Sequence, residues 1–373
     1  MREKNRELSV TLRIMKTLNK RFGLALLSGL IALMSFSPSA FALREMEGAD
    51  DIGRLFSEYE SRIDQLPQSG TVRQTLWSDT YWASNQGGAA SRWQMLGTGA
   101  QTDPHSYGVY SAIQLGQLSD AQINQLSPAE KYDIVMGRYD YPTVASEMRR
   151  TNPSLPKWHG LCHAVAAVTT RYEEPQNTPV TTTFPDGSRR NVMFYSSDIK
   201  ALLALAGDKS IANATGVGVK CNSNMPSSSG ACWDTNPASF YLALTNMVGL
   251  LKTPIIMDVD PLLEVWNSVV KSYSAQITNR SGINQYAARG TVREVRVDLS
   301  VTHTIGAKPA RMAVGGKFKS SVYAFTLELD NDDQIIGGEW ISANRPDMIW
   351  FTNPDLRLDP RLSFLQQLTT PVQ

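Results

Sequence analysis

The chain has 373 residues, enough for one large domain or two ordinary ones, and a formal net charge of only +1. A nearly neutral chain is a poor electrostatic match for nucleic acid or for an acidic surface, so we expect no nucleic-acid partner. Charged residues make up 19 %, below the usual quarter, alongside eight tryptophans and thirteen tyrosines. This composition suits an exported protein.

The N-terminal region predicts a secretory signal peptide over residues 1–42. Lys16, Lys20 and Arg21 precede an apolar run over residues 24–34, and an Ala-Phe-Ala sequence ends at Ala42. The apolar run is too short for a permanent membrane span, and no other segment predicts one. We therefore expect cleavage after Ala42 and a mature protein that is periplasmic or secreted.

Three cysteines are informative in an exported chain. Cys221 and Cys232 bracket a loop rich in glycine, serine and proline, and we predict a disulfide between them. Cys162 would then be a free thiol, although a pairing that engages Cys162 and frees one of the others is the alternative. The sequence has no Cys-x-x-Cys motif and no His/Cys spacing typical of zinc sites.

The segment around Cys162 predicts a thiol nucleophile. Cys162 lies where a turn at Gly160 gives way to an alanine-rich helical run. The first-turn amides of a helix and its dipole favour negative charge, so they stabilise a thiolate over a thiol. The alternative is an inert cysteine buried in an apolar helix.

The N-terminal half of the mature chain is predicted to be mainly helical. Apolar residues at helical spacing predict an amphipathic helix over residues 43–66, and two short helices follow between Ser119 and Arg138. A Pro-Asp-Gly turn at residues 185–187 predicts a hairpin. Further helices are expected over residues 196–206 and 236–249, then a buried strand over residues 253–260.

The C-terminal third is predicted to be β-sheet. Residues 295–303 alternate between apolar and polar side chains, which places His303 on the inward face. Further strands are expected over residues 323–329 and 334–340, with a turn at residues 330–333. Helices followed by strands favour an α+β fold. We expect one catalytic domain over residues 43–373, with a helical subdomain over 43–150 and the cysteine core and sheet over 151–373.

Several short motifs together resemble the oomycete elicitor transglutaminases, a family also found in some bacteria. They occur in the same order between Trp77 and Trp350 and comprise the tryptophan/glycine segment 77–90, Ser-Pro-Ala-Glu-Lys-Tyr-Asp at 127–133, Trp-His-Gly-Leu-Cys-His at 158–163, Cys-Trp-Asp-Thr-Asn-Pro at 232–237, Asp-Val-Asp at 258–260, Val-Trp-Asn at 265–267 and Gly-Gly-Glu-Trp at 337–340. The Val-Trp-Asn segment resembles the start of the family's defence-eliciting peptide. Ser268 and Val269 then depart from it, so elicitor activity is not carried over.

The resemblance implies a calcium-dependent protein-glutamine γ-glutamyltransferase with a papain/transglutaminase-like core. Its partners would be proteins that bear glutamine and lysine. Cys162 matches the family's nucleophile, and Asp258 matches the acidic residue after the apolar strand. A thiolate would attack a glutamine carboxamide, ammonia would leave, and a lysine amine would resolve the thioester.

The general base has more than one candidate. The family often carries a histidine where this chain has Phe240-Tyr241, and a tyrosine such as Tyr241 is a poor base near neutral pH. His303 faces inward on a strand, as in papain-like sites, but a lone inward histidine is also a common core residue. His163 adjoins the nucleophile, although adjacent helical side chains diverge.

Two pairs of aspartates are candidate calcium ligands. Asp258 and Asp260 lie on one face of a strand, and Asp330 and Asp332 belong to an oxygen-rich turn without the EF-hand pattern. A solvated turn is the competing interpretation of the second pair.

Two other functions remain open at the level of sequence. A deamidase or cysteine peptidase would use the same thiol with water as acceptor. An inactive binding module on the same fold would leave Cys162 unreactive.

Overall fold

The computed structural model describes residues 45–46, 48–93, 104–220, 234–352 and 356–372. Its α-helices are α1 (Ala112–Gln117), α2 (Asp120–Ile123), α3 (Pro128–Val135), α4 (Pro142–Arg150), α5 (Cys162–Thr169), α6 (Ser196–Gly207) and α7 (Pro237–Leu244). A π-helix over Thr245–Leu251 continues α7. Short 3-10 helices lie at Gly48–Asp50, Ile52–Arg54, Ser84–Gln86, Gly88–Ala90, Asp208–Asn213 and Pro360–Gln367.

Serine caps determine where three of the helices begin. The hydroxyls of Ser111, Ser119 and Ser127 each accept a hydrogen bond from the backbone N–H three residues later, and the glutamine or glutamate there bonds back to the serine N–H. Pro128 occupies the first position of α3, where its missing N–H costs nothing. The two short helices predicted between Ser119 and Arg138 are therefore confirmed.

The strands form one large antiparallel sheet and one hairpin. The strands are β1 (Ser69–Thr71), β2 (Thr178–Thr183), β3 (Arg189–Phe194), β4 (Thr215–Gly218), β5 (Ile256–Asp258), β6 (Asn267–Asn279), β7 (Arg293–Thr304), β8 (Phe318–Leu329), β9 (Ile335–Trp340) and β10 (Met348–Phe351). The large sheet has the order β4-β10-β5-β6-β7-β8-β9, with β1 also paired to β6. The hairpin is β2 and β3. The α+β class is confirmed.

Helix α5 lies between the two clusters of the apolar core. Ala166 and Ala167 pack in a cluster built mainly on the sheet and α7. Ala164, Val165 and Val168 pack in a second cluster with α3, α6 and the hairpin. Small side chains let the helix approach both layers closely, so the start of α5 is held at their junction.

The predicted helix over residues 43–66 is wrong. In the described part of this segment, the only helical turns are the 3-10 turns at Gly48–Asp50 and Ile52–Arg54. The chain then pairs with the start of β9, where Ile63 N donates to Asp333 O and Ile335 N donates to Ser61 O. The apolar side chains do reach the core, but sheet pairing supplies the backbone hydrogen bonds that a helix would otherwise provide.

Some predictions fall outside the described residues. They are the signal peptide over residues 1–42 and the disulfide between Cys221 and Cys232. The proposed domain bounds stay predictions. None of the helices in the described ranges combines the length and apolar character needed to cross a membrane.

Candidate active site

Cys162 is the first residue of α5, and the turn before it is locked onto the aromatic segment at Tyr81. Leu161 N donates to the carbonyl oxygen of Tyr81 at 2.6 Å. A Cβ at position 160 would collide with the same carbonyl, so Gly160 is required by close packing. These contacts fix the backbone from which the Cys162 thiol projects.

The free Cys162 thiol opens into a cavity of about 290 Å³ between α5 and the sheet. Cys162 is half-buried, and its Sγ donates to the carbonyl oxygen of Val265 at 3.5 Å. Tyr81 and Trp266 both line this cavity, with ring centroids 5.3 Å apart in an edge-to-face contact. The Cys162 thiol therefore faces a space with aromatic walls.

His163 and Asp208 form a hydrogen-bonded pair beside the thiol. His163 Nε2 lies 2.7 Å from Asp208 Oδ1, and Asp208 follows directly after α6. Burial lowers the pKa of His163, but hydrogen bonds with Asp208 and with Cys162 outweigh that effect and raise the pKa to about 9. Asp208 is a site residue that the sequence did not reveal.

His303 lines the same cavity but is engaged elsewhere. It is 1 % exposed, which confirms the predicted inward orientation. Its Nδ1 lies 3.0 Å from the carbonyl oxygen of Thr304, and its Nε2 lies 3.0 Å from the hydroxyl of Ser321. The carbonyl partner assigns the proton of the neutral ring to Nδ1. Burial lowers the pKa of His303, which favours this neutral form.

Asp258 holds the loop after β5 in place through hydrogen bonds to its backbone. It ends β5 and is fully buried, and its Oδ1 accepts hydrogen bonds from the N–H groups of Asp260 at 3.2 Å and Trp266 at 2.8 Å. Its Oδ2 has no partner among the described residues. Burial raises the pKa of Asp258 to about 7. The loop that it fixes carries Val265 and Trp266 to the thiol.

The other acidic residues that were predicted as calcium ligands stabilise turns by accepting hydrogen bonds from nearby backbone N–H groups. Asp260 Oδ1 accepts from Leu262 N, and Asp330 Oδ1 accepts from the N–H groups of Asp332 and Gln334. Among the described residues, no three histidine, cysteine or acidic side chains converge as a metal site would require. Calcium dependence stays a prediction.

The chain matches the transglutaminase elicitor family over residues 54–296 and 299–360. It belongs to this family. Its fold is similar to the crystal structure of the GP42 transglutaminase from Phytophthora sojae, with a TM-score of 0.62, 20 % sequence identity, and coverage of 86 % of this chain and 98 % of that chain. A search of curated proteins found no match. The predicted resemblance is confirmed.

Tyr241, the predicted replacement for a histidine base, lies in the core. It is 0 % exposed and packs edge-to-face on Phe325, with ring centroids 6.0 Å apart. Burial raises its pKa to about 12, and its hydroxyl has no partner among the described residues. Tyr241 does not line the Cys162 cavity. It therefore does not take the place of a base.

Asn267 is a second residue that sequence reasoning missed. It begins β6, and its Nδ2 lies 3.9 Å from Cys162 Sγ. Its Oδ1 accepts a hydrogen bond from the indole Nε1 of Trp350 at 2.7 Å. The Val-Trp-Asn motif marked its position, but nothing in the sequence indicated that its amide lies near the thiol.

Proposed function

We propose that this transglutaminase elicitor family member is an exported protein-glutamine γ-glutamyltransferase. The observation that carries the proposal is the free Cys162 thiol at the start of α5, which faces an aromatic-walled cavity and is followed directly by His163, whose ring is held by Asp208 at 2.7 Å. A thiol, a neighbouring basic side chain and a carboxylate that orients the base are the parts that thiol acyl transfer requires.

His163 is proposed to manage the proton of the reaction. Because its pKa lies near 9, the His163 ring is protonated at neutral pH, and the reactive form is proposed to be a Cys162 thiolate beside this imidazolium. The thiolate attacks the glutamine carboxamide carbon. The imidazolium then gives its proton to the leaving nitrogen, ammonia departs, and a thioester remains on Cys162. Asp208 orients the ring throughout.

The second half-reaction resolves the thioester. His163, now neutral, accepts a proton from a lysine amine as the amine attacks the thioester carbon, and the sulfur leaves as the Cys162 thiolate with release of an isopeptide product. Water in place of the amine would give a deamidase, and a peptide bond in place of the glutamine amide would give a peptidase. The acceptor therefore distinguishes the proposed function from its nearest alternatives.

The test uses exported protein whose N-terminus is first mapped by mass spectrometry and is expected at Leu43. A fluorescent primary amine and a glutamine-rich acceptor protein are incubated with wild type and Cys162→Ala, each with calcium or with chelator. We expect incorporation by wild type and none by Cys162→Ala, because no other described cysteine faces the cavity. Loss of incorporation with chelator would support calcium dependence.

His159→Ala is the matched control, because His159 adjoins the same turn but contacts Trp158 rather than the thiol. It should retain incorporation. Ammonia release without amine incorporation would indicate the deamidase instead. If there is no turnover and Cys162 does not react with iodoacetamide at neutral pH, the result would indicate an inactive binding module on the same fold.

A further inference from the structure

The amide of Asn267 is held in a defined orientation beside the nucleophile. Its backbone is fixed at the start of β6, where Asn267 pairs with Asp258 of β5. Its side chain lies between Cys162 on α5 and Trp350 on β10, which are distant in sequence. Three separate elements therefore determine where this amide lies.

Trp350 decides which end of the amide faces the thiol. An indole N–H is only a donor, so the atom of Asn267 that it contacts at 2.7 Å must be the carbonyl oxygen. The NH₂ group consequently points toward Cys162 Sγ, 3.9 Å away. Trp350 is 6 % exposed, which shields this orientation from competition by solvent.

This arrangement places a hydrogen-bond donor where negative charge develops during acylation. When the sulfur adds to a carbonyl carbon, the C=O π electrons move to the oxygen, which then carries the charge one bond away from the carbon that holds the sulfur. A donor stabilises that oxyanion when it lies about 2.7–3.1 Å from it. An NH₂ group at 3.9 Å from the sulfur itself is placed to meet such an oxygen.

The backbone supplies a second donor of the same kind. The Leu161 N–H is already bonded to Tyr81, whereas the Cys162 N–H, in the first turn of α5, has no hydrogen bond within the described residues. The two donors come from facing elements, the helix and the sheet, on either side of the thiol. Such convergence is the geometry of an oxyanion hole.

We propose that Asn267 is a catalytic residue whose Nδ2–H, together with the Cys162 N–H, stabilises the oxyanion of Cys162 acylation, and that Trp350 is its positioning residue. The inference rests on the proposed function for its natural substrate, but it applies to any acyl donor. The oxyanion collapses when the leaving group departs with its bonding electrons, and the carbonyl is re-formed as a thioester.

The test compares two reactions of the same thiol. Burst acylation by p-nitrophenyl acetate passes through an oxyanion and needs no specificity for glutamine, whereas alkylation by iodoacetamide forms no oxyanion. We expect Asn267→Ala to lower the acylation rate about 10²–10³-fold, the loss seen when one oxyanion donor is removed. The alkylation rate should change by less than about tenfold, because in that reaction the donor meets only the sulfur and no oxyanion forms.

Two variants guard against a structural explanation. Asn267→Asp keeps an acceptor for the Trp350 indole but has no donor. Because its charge also disfavours the thiolate, its acylation rate is compared with its own alkylation rate, and this ratio should fall at least as far as in Asn267→Ala. Trp350→Phe leaves the Asn267 amide free to rotate, and it should lose acylation by a smaller factor with no change in alkylation.

Three results would overturn the proposal: acylation unchanged in Asn267→Ala and Asn267→Asp, acylation and alkylation falling in parallel, or no acylation of a wild-type thiol that alkylates readily. If the ester acylates Cys162 but glutamine does not, the transferase function fails while the role of Asn267 stands.

Discussion

At the residue scale, the Asp208 carboxylate determines the protonation of His163. Replacing Asp208 with asparagine removes the negative charge that faces His163 Nε2 at 2.7 Å but keeps the side-chain volume. We expect Asp208→Asn to lower the pKa of His163 from about 9 toward its ordinary value, because one of the two hydrogen-bonded partners that raise it loses its charge. An NMR titration of the imidazole signals measures this, with His163→Ala to assign them.

The sign of the pH effect on stability provides a control. The pKa of His163 is higher in the folded chain than its ordinary value, so the contribution to the free energy of unfolding is complete below pH 6.5 and disappears as pH rises through about 9. The difference between wild type and Asp208→Asn should therefore shrink from pH 6 to pH 10. A difference that widens over this range, or an unshifted titration, would contradict the pairing.

At the scale of elements, the loop after β5 depends on a buried carboxyl that prefers to be neutral. Burial raises the pKa of Asp258 to about 7, so its stabilising contribution is complete near pH 4 and is lost as pH rises through 7. Asp258→Asn keeps an acceptor for the Trp266 N–H and cannot ionise. At pH 8 we expect it to increase the free energy of unfolding on the order of 2 kcal/mol.

Urea denaturation at pH 5 and pH 8 measures this effect. The advantage of Asp258→Asn should be smaller at pH 5, where Asp258 of wild type is mostly protonated. Asp258→Ala is the matched control, because it abolishes the bond to Trp266 N and should destabilise the fold at both pH values. Equal stabilities of wild type and Asp258→Asn at both pH values would refute the raised pKa.

Local chemistry predicted most elements correctly but could not predict pairings between distant segments. The serine caps of α2 and α3 and the alternation in β7 are properties of neighbouring residues, and the structure follows them. The segment 43–66 has helical spacing, yet its backbone bonds to residues near Asp333 and Ile335. The periodicity indicated which side chains of this segment are buried, but not which distant strand its backbone would pair with.

At the scale of the whole molecule, the same difference between local and long-range contacts explains which site residues could be predicted from the sequence. Cys162 was predictable because its glycine turn and alanine-rich helix are contiguous in sequence. Asp208 reaches His163 across 45 positions, and Asn267 reaches Cys162 across 105. Such contacts depend on how α6 and β6 pack against α5, which no single stretch of sequence encodes.

Also at the scale of the whole molecule, a buried ion pair joins the helices that lie behind Cys162. Lys131 of α3 donates to Asp198 of α6 at 2.7 Å, and both side chains are fully buried. Asp198 also accepts from the Trp93 indole at 2.6 Å and from Tyr195 N at 2.8 Å. Because α6 packs on α5, this pair supports the helix that carries Cys162.

Removing only Lys131 would leave a buried carboxylate without its counter-charge. We expect Lys131→Ala to lower the free energy of unfolding by about 3–5 kcal/mol in urea denaturation at neutral pH. Lys131→Met with Asp198→Asn should cost less than the sum of the single changes, because no lone charge remains. Arg296→Ala breaks an exposed ion pair with Asp298 and should leave stability nearly unchanged. If Lys131→Ala were as mild as this control, the buried pair would not hold the helices together.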